Sequence, residues 1–413
     1  MGVPTEMEDG VASLEFGDMT EPSPFAEREV ALHSSDAHFR PDIQGLRALA
    51  VLLVVLAHAS VPLFDGGYMG VDVFFVISGY VITGVLVRQS KTTVRANLKS
   101  FYSRRIRRII PAATVVLIAT VVAGYWWLGP NVGVPLLTDV RWASLFAGNW
   151  HLIQTGSGYF IPGVPPSLVT HYWSLAVEEQ FYIVFPLIVF GAGAFFTSRR
   201  RPLALGVVLL LAIVASSWWS MHLTPINATE AYYSPFTRFW ELALGGLVVI
   251  LPRTWAMRTP RLNAVVGTAA LLAIVVAALR LSGSSVYPGS LAWWPCGATA
   301  VLLWTGQASS MGGPATWLSW RPLQYVGNVS YSFYLWHYLW LMVPQQYATT
   351  PMAPLSRVIQ VLGAFACSVV SFHFLENPIR RSQWLDERPY AVGLLLVGCL
   401  ALTWGVTLLY ASF

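Results

Sequence analysis

The chain has 413 residues, of which 55% are hydrophobic and only 11% are charged, and its mean hydropathy is +0.57. Soluble domains carry about 25% charged residues, so this composition excludes an ordinary soluble protein and indicates an integral membrane protein. The net charge of +5 requires no nucleic-acid partner, because membrane proteins collect Lys and Arg in their cytoplasmic loops.

Residues 1–40 differ in kind from the rest of the chain. They hold nine acidic residues and two arginines, and they show no sustained apolar periodicity. They also lack the basic start and apolar stretch of a signal peptide. We predict a disordered, acidic cytoplasmic tail over 1–40.

Eleven apolar segments of spanning length follow the tail, so the predicted fold class is all-α, a polytopic transmembrane helix bundle. The predicted spans are 43–62, 69–87, 109–128, 173–196, 202–220, 235–251, 262–280, 292–308, 327–346, 355–375 and 391–411. We divide this part into a transmembrane domain over 41–382 and a linker with the eleventh helix over 383–413.

Basic residues set the predicted orientation. The connection 88–108 carries eight Lys or Arg residues, and the other Arg-rich connections fall on the same side of the membrane when eleven helices are counted. Because cytoplasmic loops are enriched in Lys and Arg, the N-terminus is predicted to be cytoplasmic and the C-terminus extracytoplasmic. The long connection 129–172 is then external, and a loop of that length is usually functional or mobile.

The first span carries the strongest functional signal. Arg47 and His58 are eleven residues apart, about three helical turns, so they share one face roughly 16 Å apart along the axis. Ionisable residues inside a membrane helix are costly and are functional candidates by default. The spacing predicts that Arg47 binds a charged group near the inner membrane surface and that His58 takes part in a reaction near the outer surface.

Counting residues from the span ends predicts two polar layers. The outer layer, within roughly 4–9 Å of the outer surface, holds a histidine, four carboxylates and an arginine. Its members are His58, Asp72, Glu178, Glu179, Arg238 and Glu241. Arg238 and Glu241 are spaced to pair on one face, and a purely structural pair is an open alternative.

The cytoplasmic layer is built around FYSRRIRRIIP, residues 101–111. Its arginines suit phosphate binding, since guanidinium groups bind phosphate oxygens in pairs, although they can also be simple topology residues. No Walker loop, dinucleotide fingerprint or zinc-like His/Cys spacing is present, so we predict no metal and no permanently bound cofactor.

The motifs together resemble the acyltransferase-3 family of bacterial membrane O-acyltransferases. The matching segments, in the family's order, are RPDIQGLRALAVLLVVLAHA from Arg40, GGYMGVDVFFVISGYVI from Gly66, FYSRRIRRIIP from Phe101, HYWSLAVEEQFYIVFP from His171, YVGNVSYSFYLWHYLWL from Tyr325 and FLENPIRR from Phe374. The resemblance covers about residues 40–380. It implies ten helices in the bacterial cytoplasmic membrane, with acyl-CoA, usually acetyl-CoA, as co-substrate. The implied acceptor is a hydroxyl of an envelope glycan, glycolipid or metabolite.

Carried over residue by residue, the resemblance makes His58 the catalytic histidine. It assigns the CoA side to Arg47, Arg104, Arg105 and Arg108. In the mechanism we predict, His58 takes the proton of the acceptor hydroxyl, which attacks the thioester. Glu178, or secondly Asp72, orients the imidazole. A covalent acyl-histidine relay stays open as a variant.

The acceptor side is predicted from the remaining polar residues. Its candidate members are Glu179, His171, Arg238, Glu241 and His337. His337, in the middle of YSFYLWHYLW, can equally be a hydrogen-bonded packing residue. The chain reads WHYL, from Trp336 to Leu339, where many relatives read WHWP.

Several alternatives remain open at this stage. Relatives with an eleventh helix often continue into an esterase-like SGNH domain, whereas this sequence stops at Phe413, so we expect a stand-alone enzyme or a separate esterase-like partner. A transporter or flippase for an envelope lipid is the rival class, although it predicts internal repeats and Arg47-x10-His58 has no counterpart in the second half. The acceptor and the oligomeric state are left open.

Overall fold

The computed structural model describes residues 40–89, 93–157, 165–195, 197, 200–251, 259–307, 313–348 and 352–412. Within these ranges the chain forms helices and turns and no strand. The helices are α1 Pro41–His58, α2 Gly70–Gln89, α3 Val94–Leu128, α4 Pro130–Ser144, α5 Gly148–Thr155, α6 Tyr172–Phe195, α7 Arg201–Leu223, α8 Ala228–Tyr233, α9 Phe239–Ile250, α10 Pro260–Arg280, α11 Trp293–Thr305, α12 Pro314–Leu318, α13 Arg321–Tyr347, α14 Pro354–Ser371, α15 Asn377–Arg380, α16 Gln383–Glu387 and α17 Pro389–Ala411.

The predicted all-α class is confirmed, and each of the eleven predicted segments coincides with a helix. Eight stretches of the described chain are long and apolar enough to cross a membrane, which makes this a multi-pass membrane protein. They are Pro41–His58, Asp65–Arg88, Val94–Leu128, Tyr172–Gly191, Arg201–Leu223, Pro260–Arg280, Pro354–Glu387 and Pro389–Ala411. Of the predicted acidic tail, residues 1–39 lie outside the described ranges.

The remaining three predicted segments form helices that are not long and apolar enough to count as membrane spans on their own. Helices α9 and α11 have only 12 and 13 residues, too few to cross a bilayer of about 30 Å unaided. Helix α13 has 27 residues but is rich in Tyr and Ser, and most of its middle is buried. A polar helix of this kind belongs inside the bundle, where other helices can satisfy its side chains.

Helices α1 and α13 form a parallel pair at the centre. Gly327 lies so close to Gln44 that an added Cβ would be 2.0 Å from the Gln44 carbonyl oxygen. Further along both helices, the Gln345 amide donates to the His58 carbonyl at 3.1 Å. Because the contacts advance together along both sequences, the two helices run in the same direction. This pairing brings His58 and the end of α13 to one end of the bundle.

Helices α2 and α9 cross at two glycines. A Cβ on Gly79 would be 1.8 Å from the Leu242 carbonyl oxygen, and a Cβ on Gly245 would be 1.9 Å from the Val76 carbonyl oxygen. Small residues let membrane helices approach backbone to backbone, where van der Waals contact replaces the absent hydrophobic drive. The crossing fixes α9 against the helix that carries Asp72.

We expect Gly79→Ala to destabilise the protein by about 1–3 kcal/mol, because the new methyl group meets backbone rather than a movable side chain. The control is Gly405→Ala on α17, where a Cβ meets no atom within 4 Å. Thermal unfolding in detergent, followed by tryptophan fluorescence, measures both. Equal melting temperatures for the two variants would contradict the close-packing argument.

The connection 129–172, which we predicted to be external, holds two further helices, α4 and α5. Gly129, with φ of 76°, turns the chain out of α3, and Pro130 then starts α4. The connection returns to the bundle through Leu168, Val169, Thr170 and His171, which are all buried. Helix α6 therefore begins inside the protein and not at its surface.

Candidate active site

A cavity of about 220 Å³ lies between α1, α2, α3, α6 and α13. Its lining combines four arginines with a carboxylate, hydroxyl groups and apolar side chains. The polar residues lining it are Gln44, Arg47, Ser78, Arg105, Arg108, Ser174, Glu178, Tyr182, Asn328, Ser330, Tyr331, Tyr334 and Arg380. Because the four arginines outnumber the one carboxylate, the lining of the cavity is strongly basic.

Three of the four predicted donor-side arginines, Arg47, Arg105 and Arg108, line the cavity. Arg104 does not, since its side chain is exposed and bonds Ser100 on the outside of α3. The fourth arginine of the lining is Arg380, which the LENPIRR segment brings in from α15. Arg105 and Arg108, one helical turn apart, both face the cavity, whereas the Arg104 side chain turns to solvent.

Glu178 and Glu179 lie beside Arg105 and not in the predicted outer layer. Arg105 Nη2 is 2.8 Å from Glu179 Oε1 and 3.6 Å from Glu178 Oε1. Glu178 also accepts hydrogen bonds from Ser78, at 2.7 Å, and from Tyr182. The depth prediction failed because it assumed that α6 starts at the membrane surface, whereas the chain before it is already buried.

The ring of His58 is paired with a second histidine. His58 Nδ1 lies 3.0 Å from Nε2 of His337, and His337 Nδ1 lies 2.7 Å from the Tyr334 carbonyl oxygen. The structure therefore places His337 at Nδ1 of His58, where we predicted Glu178 or Asp72. His337 is buried, while His58, the last residue of α1, is partly exposed.

The hydrogen bonds define the tautomers of this pair. A carbonyl oxygen can only accept, so Nδ1 of His337 carries the hydrogen and Nε2 of a neutral His337 is an acceptor. It receives the Nδ1–H of His58, which leaves Nε2 of His58 without a hydrogen and able to take a proton. This relay from Tyr334 through His337 leaves Nε2 of His58 with the lone pair that a general base requires.

Two more side chains complete the histidine cluster, which we define as His58, His171, His337 and Tyr338. His171 stacks on Tyr338, with ring centroids 4.5 Å apart, and lies 5.7 Å from the ring of His337. Tyr338 also meets His58 edge to face at 5.1 Å. The predicted acceptor-side residues His171 and His337 are therefore both brought to His58.

Tyr334 stands between the cavity and the histidine cluster. Its side chain lines the cavity, and its hydroxyl lies 2.7 Å from Ser174 Oγ and 3.0 Å from the His171 carbonyl oxygen. Its own carbonyl oxygen holds His337. One residue thus forms the end wall of the arginine-lined cavity and supports the relay behind it.

The other predicted polar residues form a separate buried cluster. Arg238 Nη1 lies 2.7 Å from Asp72 and 2.8 Å from Glu241, and all three side chains are almost fully buried. Tyr287 packs against Arg238, and burial raises the pKa of the Tyr287 phenol well above its ordinary value, so that it stays protonated. None of these residues lines the described cavity, so they support the helix crossing rather than the cavity wall.

Cys296 joins this cluster at a spacing that could suit a metal ion. One ligand atom each from Asp72, Glu241 and Cys296 lie within 4.8 Å of one another. The Arg238 guanidinium, however, already pairs with both carboxylates. A buried cation in that position satisfies the charge that a metal would otherwise neutralise, so the donor set does not fit a resident metal.

Sequence reasoning placed Arg380 in the cytoplasmic layer but missed the pairing of His337 with His58 and the position of Tyr334. The spacing Tyr334 to His337 is one helical turn, which is the signal that could have joined them. Arg107, in the same basic segment, is instead a structural residue, since it pairs with Asp386 and donates to the Ser382 carbonyl at 3.0 Å.

A helical membrane bundle that holds paired histidines behind a basic cavity has the parts of a group-transfer catalyst. The acyltransferase-3 family model, described as an acyltransferase domain, matches residues 40–374. The chain therefore belongs to this family.

The chain is similar to curated proteins named as O-acetyltransferases. The peptidoglycan O-acetyltransferase OatA of Listeria monocytogenes is 31% identical over 367 residues, covering 84% of this chain and 56% of the relative. The O-acetyltransferase OatA of Staphylococcus aureus is 28% identical over 355 residues, covering 83% and 57%. The chain thus spans little more than half the length of these relatives. No solved structure matches it.

Proposed function

We propose that the protein is a membrane O-acetyltransferase that moves an acetyl group from acetyl-CoA to a hydroxyl of a cell-envelope glycan. The observation that carries the proposal is the relay from Tyr334 through His337 to His58, set directly behind the arginine-lined cavity. The named activities of the relatives support the glycan acceptor and the acetyl group.

The cavity suits the thioester end of acetyl-CoA. Its volume of about 220 Å³ is below the roughly 300–1,000 Å³ of sites that enclose drug-sized ligands, so it fits a pantetheine arm rather than the whole molecule. Arg47, Arg108 and Arg380 then meet the phosphates at its basic end. In this proposal the arm lies along α1 with the thioester at Tyr334, and the Tyr334 side chain moves aside before the acetyl group meets the acceptor at His58.

The chemistry is a direct transfer that needs one proton acceptor. His58 Nε2 takes the proton of the acceptor hydroxyl as its oxygen bonds to the thioester carbon. The tetrahedral intermediate then breaks its C–S bond, and the CoA thiolate receives the proton back from His58. Ester and free CoA are the products, with no net proton released.

The proposed orientation follows the basic loops, with the arginine end of the cavity facing the cytoplasm. His58 is partly exposed at the opposite end of α1, about 16 Å away along the helix axis. The donor therefore enters from the cytoplasm, and the glycan reaches His58 from outside.

Transfer of label from acetyl-CoA to peptidoglycan fragments, with the protein in nanodiscs, tests the proposal. We expect labelled ester on the glycan and an equal amount of free CoA. Intact acetyl-CoA after incubation with folded protein and glycan would overturn the assignment.

The arginines offer a matched pair of variants. We expect Arg108→Ala to weaken acetyl-CoA binding about tenfold or more, because it removes a cavity-lining guanidinium and its phosphate contact. Arg104→Ala, one helical turn away and exposed, is the control and should bind as tightly as wild type. Binding of labelled acetyl-CoA to nanodiscs measures both. Equal losses in the two variants would point to bulk charge and not to the cavity.

A further inference from the structure

Glu178 is the one carboxylate in the described lining of the cavity, and the proposed mechanism gives it no task. Its contacts go to a single oxygen, since Oε1 accepts from Ser78 and Tyr182 and lies 3.6 Å from Arg105 Nη2. Oε2 receives no hydrogen bond from any residue that the structure describes. The side chain keeps 19% of its surface exposed, so Oε2 is an acceptor open to a ligand in the cavity.

Three helices hold this carboxylate in place. Ser78 lies on α2, Tyr182 lies one turn further along α6, and Arg105 lies on α3. Arg105 is itself fixed, because it packs over the Tyr182 ring at 3.8 Å and pairs with Glu179 at 2.8 Å. A group that is already oriented has less conformational freedom to lose when a ligand binds.

The charge of Glu178 limits the kind of group that it can bind. A carboxylate repels phosphate oxygens, so Glu178 does not belong with the arginines that meet the phosphates. It accepts hydrogen bonds and donates none while it is ionised. The part of the ligand beside Glu178 must therefore carry an N–H or O–H group and no negative charge.

The place of Glu178 along the cavity matches the first amide of a pantetheine arm. Ser174 precedes Glu178 by one turn of α6, about 6 Å along the axis, and bonds the Tyr334 hydroxyl at the end wall. With the thioester at Tyr334, the nearest amide nitrogen is three bonds from the sulfur, roughly 4 Å. Its N–H needs an acceptor, because a buried donor without one weakens binding.

We propose that Glu178 Oε2 accepts a hydrogen bond from the pantetheine amide N–H nearest to the thioester. This role rests on the proposed acetyl transfer and names the part of the donor that Glu178 recognises. The contact sets how far the arm enters the cavity, because it fixes the amide one helical turn from Tyr334. It also makes the protein selective for thioesters that carry this amide.

The test uses the wild-type protein in nanodiscs and three probes. They are labelled acetyl-CoA, an analogue with an ester oxygen in place of that amide N–H, and 3′-phosphoadenosine 5′-diphosphate, which carries the phosphates without the arm. We expect the ester analogue to bind about 10- to 100-fold more weakly than acetyl-CoA, the usual loss for a hydrogen bond to a charged group.

Glu178→Leu removes the acceptor. We expect acetyl-CoA to bind it about 10- to 100-fold more weakly than wild type, no better than the ester analogue does, while the phosphate probe binds within about twofold. KM should rise by a similar factor and kcat stay within about threefold, since the contact is the same in ground and transition states. Glu387→Leu, at a carboxylate side chain that is 72% exposed on α16, is the matched control and should behave as wild type.

Three results would overturn the role of Glu178. They are equal binding of acetyl-CoA and the ester analogue to wild type, an undiminished preference for acetyl-CoA in Glu178→Leu, and an equal loss for the phosphate probe in that variant. Should Glu178→Leu fail to fold, Glu178→Gln decides, and its preference for acetyl-CoA must fall at least about threefold. A wild-type protein that binds neither thioester would instead overturn the proposed function itself.

Discussion

His58→Ala will reduce acetyl transfer to the background rate while acetyl-CoA still binds. In the proposed mechanism Nε2 of His58 is the proton acceptor, oriented by the hydrogen bond between its Nδ1 and His337. General-base catalysis contributes about 10²–10⁴-fold, so we expect a loss of at least that size. The arginine-lined cavity is untouched by the substitution, because His58 is not part of its lining.

The measurement is labelled acetyl-CoA turnover beside equilibrium binding, both in nanodiscs. His222→Ala is a suitable control, since His222 is an exposed histidine on α7. Turnover by His58→Ala within tenfold of wild type would remove His58 from the chemistry. Loss of binding together with turnover would mean that the substitution disturbs the donor cavity.

His337→Phe is expected to lower kcat by about 10²–10³-fold with little change in acetyl-CoA binding. Without the Nε2 acceptor of His337, nothing fixes the Nδ1–H tautomer of His58 through this contact. His337→Gln is the matched variant, because its amide can accept from His58 and donate to the Tyr334 carbonyl. It should keep at least ten times the activity of His337→Phe.

Both His337 variants are compared by kcat, acetyl-CoA affinity and thermal stability. A merely structural His337 would show equal losses in stability and activity for the two variants. Wild-type kcat in His337→Phe would show that His58 is oriented by other contacts.

The fold was largely predictable, because a spanning helix leaves a long apolar signature that needs no partner to be recognised. Arg47 and His58 were predictable for a related reason, since both lie on one helix and eleven residues define their relative position. The arginine face of α3 was predicted in part, since Arg105 and Arg108 line the cavity whereas Arg104 is exposed.

The partner of His58 was not predictable in the same way. It depends on which face α13 turns towards α1, and that rotation is set by the close contact of Gly327 with Gln44. The depth of Glu178 depends on a buried return segment before α6, which has no spanning signature of its own. The sequence therefore predicted the helices themselves, but not how they are rotated and placed against one another.

The Tyr334 wall has a consequence for the membrane itself. In the proposed orientation, the cavity opens to the cytoplasm and His58 faces outside, so an open path between them would dissipate the proton gradient. The hydrogen bonds from Tyr334 to Ser174 and His171 close that path with side chains. The acetyl group can thus change sides only when Tyr334 moves aside with acetyl-CoA in the cavity, so that the donor and not water fills the opening.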